Sequence, residues 1–267
     1  GITINESLKI VTDLNNQNLS VTLDILGEHT KSIPECVEIS NNYIKILERI
    51  NNNNLDCNIS IKPSHIGTDI SDDLFRKNLQ NILDQAIKYN NFVRIDMENS
   101  KLTDISINAY KLLKNNNIGI VFQAYLHRTK NDINKLDNKS NIRLCKGIYN
   151  ESPQIAIKNQ NEININYLEL LEDVLNKGIY VGIATHDEKL IEQSLALLDE
   201  MKIDKSKFEF QMLYGVPMKK IIKDLLKNNY KVRIYVPFGK DWYDYSIRRI
   251  KENPNISKYV IKNYFLK

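Results

Sequence analysis

The sequence predicts an α/β fold, a (β/α)8 TIM-type barrel with its last helix over the C-terminal mouth, and three observations predict it. Short β-like segments alternate with helix-like ones eight times along 267 residues, and such alternation implies a parallel sheet. Eight repeats at this length favour a closed barrel over an open sheet. Within the strands one face is large and apolar and the other small or polar, and the polar residues gather at the strand C-terminal ends. That end of a barrel is where active sites lie.

The strand segments are 19–26, 57–63, 92–98, 118–126, 141–147, 179–186, 207–213 and 231–237. Each shows β-branched enrichment or period-two alternation and is bounded by Asn, Gly or Pro. Helical patterns fill the gaps at 34–50, 71–89, 105–114, 130–136, 162–176, 188–198, 218–228 and 242–252, and a last one at 256–265 closes the chain. The whole of 1–267 reads as one barrel domain. Residues 1–18 are expected to cap the barrel bottom or pack on its side, and 256–267 form a C-terminal helix. Ile59 and Ile61, Val93 and Ile95, Ile120 and Phe122, and Ile234 and Val236 are assigned to the face under the outer helices. Asn58, Ser60 and Lys62, Arg94 and Asp96, Gln123, Arg143, and Arg233 and Tyr235 take the alternate face. Charges on such a lining are costly unless they are paired or used.

Composition narrows the class. Hydrophobic residues make up 42% and charged residues 26%, with a net charge of +4, ordinary for a globular protein. The charge is small and dispersed, which argues against a nucleic-acid partner. No apolar run has the length of a membrane span, and the first residues lack the shape of a signal peptide. Three cysteines without a CxxC pair and four scattered histidines argue for reduced thiols, a cytoplasmic setting and no metal site. The sequence holds neither GxGxxG nor GxxxxGK[ST], so neither a Rossmann nor a P-loop site is expected.

Several residues then stand out. Lys62 precedes Pro63, which stops its strand with the ammonium at the mouth. Asp96 ends the third strand and reads as a carboxylate for a bound amine, as a partner of Lys62 or an arginine, or as a structural partner of Arg94. Arg143 and Lys146 flank a glycine-containing turn at Gly147, suited to a phosphate or flavin contact or simply a basic loop. Gln123 offers an amide. Thr185 and His186 could bind phosphate, shield a ring or sit in the core. Glu28 follows the first strand and could meet an arginine of the terminal helix. On that helix Tyr245, Arg248, Arg249 and Glu252 fall at i, i+3, i+4 and i+7 and so share one face. Two neighbouring guanidinium groups past a strand end make either a carboxylate receptor or a solvated basic face.

The motifs LDILGE, SIKPSHIG, VRIDMENS, VFQAYLHRT, IRLCKGIYNES, ATHDEKLI, FEFQMLYGV and VRIYVPFGKDWYDYSIRRIKENP occur in this order, one per strand. This series resembles the proline dehydrogenase family, in its small monofunctional bacterial form, from about Leu19 to Pro254. The resemblance implies a distorted barrel with non-covalent FAD at the mouth. It implies oxidation of L-proline to Δ1-pyrroline-5-carboxylate by hydride transfer to flavin N5, the first step of proline catabolism to glutamate. Electrons would pass to a quinone at a peripheral membrane contact, and the product to a separate pyrroline-5-carboxylate dehydrogenase. By the same resemblance Arg248 and Arg249 clamp the substrate carboxylate with help from Lys62, and Asp96 and Arg143 form the catalytic site beside the flavin. Gln123, Arg143, Lys146, Gly147, Thr185, His186 and the Met97 backbone hold the FAD. Tyr235 packs on the proline ring and Tyr245 joins the substrate site. Glu28 pairs with Arg248 as a gate, and Glu252 orients the arginine pair on the cofactor side. Two departures from the family pattern are noted: Ile148 where alanine is common, and Asp187 where asparagine is common, which brings a negative charge toward the cofactor.

Overall fold

The computed structural model describes residues 3–240. Within them eight parallel strands close into a barrel in sequence order, β1 pairing β8. The strands are β1 Ser20–Ile25, β2 Cys57–Ile61, β3 Val93–Ile95, β4 Ile118–Gln123, β5 Asn141–Cys145, β6 Tyr180–Ala184, β7 Phe208–Leu213 and β8 Val232–Phe238. The intervening helices are α2 Ile33–Asn52, α3 Asp72–Lys88, α4 Thr103–Leu113, α5 Thr129–Asn134, α6 Gln160–Asn176, α7 Glu188–Glu200 and α8 Lys219–Lys227. The barrel class and all eight strands are as the sequence predicts. The helical patterns at 242–252 and 256–265 lie outside the described residues.

Local chemistry explains the starts of the helices. Ser32 caps α2, with Pro34 in its first turn; Ser71 caps α3, Asn159 caps α6 and Asp187 caps α7. Each side chain accepts a backbone N–H that would otherwise lack a partner. One helix was not foreseen. Residues 1–18 contain α1, Ile4–Asn15, closed by a reciprocal Thr3–Glu6 capping box. It packs against β1 and β8 and sends Val11 and Leu14 into the main core. Asn15 Nδ2 reaches the carbonyls of Leu19 and Asp56 at the barrel's closed end.

Two boundaries differ instructively. The third strand is three residues long, so Asp96 and Met97 lie just past it. The eighth runs through Pro237 to Phe238. Its ladder to β7 ends at Tyr235, so the missing proline N–H lies beyond the last paired residue on that side. The outer strand faces carry the core: Ile59, Ile61, Val93, Ile95, Ile120, Val181, Phe210 and Val236 are fully buried. The inner faces carry polar side chains. Gly119 and Gly182 are bare spots on that lining. A Cβ at Gly119 would lie 2.4 Å from Arg94 Nη1, and one at Gly182 would lie 2.4 Å from Gln211 Nε2.

Candidate active site

Two buried ion pairs define the mouth. Lys62, which follows β2 and leads into the turn Pro63–His65, reaches across to Asp24 near the end of β1. Tyr43 of α2 donates its hydroxyl to Asp24 Oδ1 at 3.1 Å. Burial raises the Asp24 carboxyl, and Lys62 opposes that rise. Asp96 forms the second centre. Its Oδ1 accepts from Arg143 Nη1 at 2.7 Å and from Ser60 Oγ at 2.5 Å. Its Oδ2 accepts from the Tyr235 hydroxyl at 2.8 Å. The Arg143 guanidinium also stands over the Tyr235 ring, 5.1 Å from its centroid, a cation–π distance.

Of the partners considered for Asp96, Arg143 is the one it meets. Lys62 pairs with Asp24 instead. Arg94 spends its guanidinium on the Ile120 and Asn141 carbonyls and the Asn141 amide. Burial, and then the neighbouring Arg143, lower Arg94 to about 9.

Asp24 was missed in the sequence, although a signal existed. In SVTLDI the residues Ser20, Thr22 and Asp24 alternate with apolar ones, the same period-two pattern that exposed Lys62 and Asp96. Strand seven carries the same signal in FEFQML. Its Glu209 and Gln211 are both buried on the lining.

The remaining expected residues surround this centre. Gln123 ends β4; its Nε2 donates to the Met97 carbonyl at 3.2 Å, and its buried Oε1 has no hydrogen-bond partner among the described residues. Gly147 follows β5 with φ of +106°, and a Cβ there would collide with the Tyr125 ring, so a side chain at this turn is doubly disfavoured. Lys146 Nζ sits 2.6 Å from Asp187 Oδ2. Asp187 also caps α7 through Leu190 N–H and accepts from Asn164. Partial burial pushes its carboxyl up, but the Lys146 bond and the cap outweigh this and hold it below its ordinary value. The extra negative charge is thus engaged by the lysine beside it. Thr185 Oγ1 accepts from Asp187 N–H at 3.2 Å. His186 Nε2 accepts from Leu213 N–H at 2.8 Å, which leaves the proton of a neutral ring on Nδ1.

Glu28 lies on the loop after β1, and that loop is clipped to the one after β2. His29 N–H donates to Ser64 Oγ, Thr30 N–H donates to the Ser64 carbonyl, and His29 Nδ1 lies 2.7 Å from Asp69. Ser64 in turn donates its N–H and hydroxyl to Glu98, at 2.7 and 2.5 Å. Burial raises Glu98 despite those bonds. Tyr245, Arg248, Arg249 and Glu252 lie outside the described residues, so the carboxylate clamp and the Glu28–Arg248 gate have no geometry here. No group of three or more His, Cys, Asp or Glu residues suited to a metal occurs among the described residues. No helix among them is long and apolar enough to cross a membrane.

A family model described as proline dehydrogenase matches residues 7–262. The chain belongs to the proline dehydrogenase family. It is similar to "Proline dehydrogenase 1" of Bacillus subtilis subsp. natto, at 37% identity over all of this chain and 89% of the relative. It is 33% identical to "Proline dehydrogenase" of Deinococcus radiodurans, over 98% of this chain and 87% of that one. Among solved structures it superimposes on proline utilization A from Bdellovibrio bacteriovorus with a TM-score of 0.86 at 22% identity. That match covers 96% of this chain and 32% of the other, and at this identity it speaks to the barrel alone. Family membership makes the chain an oxidoreductase of proline catabolism that oxidises proline. The motif series of the strands is the signal that found it.

Proposed function

We propose that the mouth oxidises L-proline to Δ1-pyrroline-5-carboxylate with FAD as cofactor, and that a quinone is the final acceptor. One observation carries this reading. Lys62, Asp96, Arg143 and Tyr235 converge at the C-terminal end of a closed barrel in a chain that matches the family along its length.

The residues present fit a flavin. Gln123 keeps a buried amide oxygen without a partner, which suits a ring N–H donor. Arg143 and Lys146 supply positive charge on the same side of the mouth. Gln123, Arg143, Lys146, Gly147, Thr185, His186 and the Met97 backbone would hold the cofactor. When bound, FAD supplies the acceptor for the hydride that leaves the proline carbon beside nitrogen.

The chain's own residues do the rest. Lys62 and the arginines at 248 and 249 bind the substrate carboxylate, and this sets the reacting carbon, chiefly an orientation effect. Lys62 is itself oriented by Asp24, which Tyr43 steadies. The Tyr235 ring is held from one side by Arg143 and from its hydroxyl by Asp96. It therefore offers a fixed wall for the pyrrolidine ring. Closure of the mouth by Glu28 and Arg248 excludes water, and burial of the substrate amine favours its neutral form. The product leaves for a separate dehydrogenase.

The test is direct. Purified protein with FAD under anaerobic conditions should show flavin absorbance that bleaches on addition of L-proline. A spectrum that L-proline leaves unchanged would overturn the reading.

A further inference from the structure

The mouth and the closed end of the barrel are joined by a continuous run of buried polar side chains. At the closed end Arg233 Nε donates to Glu209 Oε1 at 2.7 Å. Gln211 Nε2 donates to the same oxygen at 2.7 Å. Gln211 Oε1 accepts from Arg143 Nε at 2.5 Å. Arg143 Nη1 then reaches Ser60 and Asp96, and Asp96 reaches Tyr235. Arg233, Glu209, Gln211 and Arg143 are each under 8% exposed, so solvent does not substitute for these bonds.

Chemistry fixes the middle of this run. A guanidinium only donates, and an ionised carboxylate only accepts. Glu209 is ionised: burial pushes it up, but Arg233 and Lys231 outweigh that and hold it at about 2. The group between it and Arg143 must therefore donate on one side and accept on the other. A primary amide does both, with its nitrogen toward Glu209 and its oxygen toward Arg143. Glutamine has the reach; asparagine is one methylene shorter. The room for it comes from Gly182 on the adjacent strand, where a Cβ would lie 2.4 Å from the amide nitrogen and 2.8 Å from its carbon.

We propose that Gln211 is a positioning residue for Arg143, and that Gly182 is the vacancy that admits it. Gln211 reaches the site through Arg143. It transmits the fixed geometry of the Arg233–Glu209 pair to the guanidinium that organises Asp96 and Tyr235. The bond to Nε sets the plane of the guanidinium, and the bonds from Nη1 then fall where Asp96 needs them. The idea rests on the proposed reaction for its kinetic arm and stands apart from it for its spectroscopic one.

The experiment compares the wild type with Gln211→Met, Gln211→Glu and Gly182→Ala. Methionine keeps the volume and removes both polar contacts. Glutamate keeps an acceptor for Arg143, and against Glu209 it takes up a proton, because two carboxylates at this distance share one, so it still donates on that side. The first readout is the 15N-resolved Nε–H signal of Arg143, assigned by its loss in Arg143→Lys. It should exchange slowly with solvent in the wild type and in Gln211→Glu, and much faster in Gln211→Met. The second is single-turnover flavin reduction by L-proline, separated from binding by its concentration dependence. Gln211→Met should lower the limiting rate roughly 10- to 100-fold, the scale of a misplaced orienting group, with a smaller change in half-saturation. Gln211→Glu should recover most of that loss, and Gly182→Ala should fall between. Wild-type exchange and wild-type rate in Gln211→Met would overturn the proposal. So would altered exchange with an unaltered rate, or equal losses in Met and Glu variants that follow their melting temperatures. If Gln211→Met does not fold, the same two readings on Gly182→Ala decide. Failure of the wild type to bleach would count against the proline reading alone, and the exchange measurement would still judge the contact.

Discussion

Arg233 and Glu209 at the closed end and Arg143 and Asp96 at the mouth are the same kind of pair, guanidinium on carboxylate at 2.7 Å inside one barrel. Their surroundings differ. Glu209 is 2% exposed, and its carboxylate meets Arg233, Gln211 and, at 3.5 Å, Lys231. Arg233 also donates to the Val21 carbonyl. Every neighbour there belongs to the wall. Asp96 lies past the end of β3 with its side chain 13% exposed, and its partners are Ser60, Arg143 and Tyr235. The closed-end pair ties strands to one another. The mouth pair draws in a hydroxyl and an aromatic face from Tyr235, at the end of the barrel where active sites lie. The difference teaches that charge inside this barrel is not by itself a mark of function. Position along the strand decides.

The largest effect should come from the closed end. Glu209→Leu leaves Arg233 buried without its carboxylate, and removing one partner of a buried pair costs about 3–5 kcal/mol. Urea denaturation should show that loss. A variant as stable as the wild type would mean that the closed end does not hold the wall together. Next is Asp96→Asn, which keeps shape and removes charge. Proline-dependent flavin reduction should fall on the order of 100-fold, equivalent to about 2.7 kcal/mol, with a smaller stability loss than Glu209→Leu. If the two variants lost activity only in step with stability, the contrast between the ends would dissolve.

Sequence reasoning reached the barrel because period-two alternation and eightfold repetition are local signals, each readable within seven or eight residues. It reached Lys62, Asp96, Arg143 and Tyr235 because each lies on the polar period-two face of its strand or just past the strand's end. Pairing was less legible. Asp96 had Lys62, an arginine not specified by position, or Arg94 as its candidate partners, and nothing local tells them apart. The choice depends on register: Ser60 stands opposite Arg94 on the neighbouring strand, while Arg143 comes from two strands further on. Asp24 and Gln211 were visible as polar residues within apolar strands but were not singled out. Helix α1 escaped although its twelve residues are as amphipathic as those of α2, with Ser7, Val11 and Leu14 as the buried positions, because residues 1–18 read only as a segment capping or flanking the barrel. Its capping box was nonetheless present at Thr3 and Glu6.

A third prediction separates the ends by pH. His65, at the mouth beside Lys62, is held neutral: burial, and then Lys62, push it from 6.5 down to about 3. The unfolded chain therefore takes up a proton that the folded one refuses. The stability that His65 contributes is present above pH 6.5 and is lost as pH falls from 6.5 toward 3. The slope approaches ~1.4 kcal/mol per pH unit for one proton. Glu209 is held down instead, from 4.5 to about 2, so its contribution is present above pH 4.5 and is lost only as pH falls toward 2. Asp24 and Glu98, both raised by burial, act in the opposite sense and are unchanged in the comparison that matters. Between pH 6.5 and 4.5, His65→Gln should flatten the stability profile relative to the wild type. Parallel profiles across that window would place the acid response elsewhere.

The smallest effect tests the wall rather than the charge. Tyr235→Phe removes the hydroxyl that donates to Asp96 but keeps the ring under Arg143. A lost hydrogen bond of this kind is worth about 1 kcal/mol, so the rate with L-proline should fall by roughly fivefold, with Asp96 still bound to Arg143 and Ser60. Tyr235→Ser removes the ring as well. If the ring is the surface that the pyrrolidine meets, this variant should gain relative activity on hydroxyproline as it loses activity on proline, because the space a hydroxyl needs is the space the ring filled. The ratio of the two specificity constants is the measurement, since general damage to the site lowers both and leaves the ratio alone. A ratio unchanged in Tyr235→Ser would reduce Tyr235 to a partner of Asp96, and the mouth would then resemble the closed end more than its position suggests.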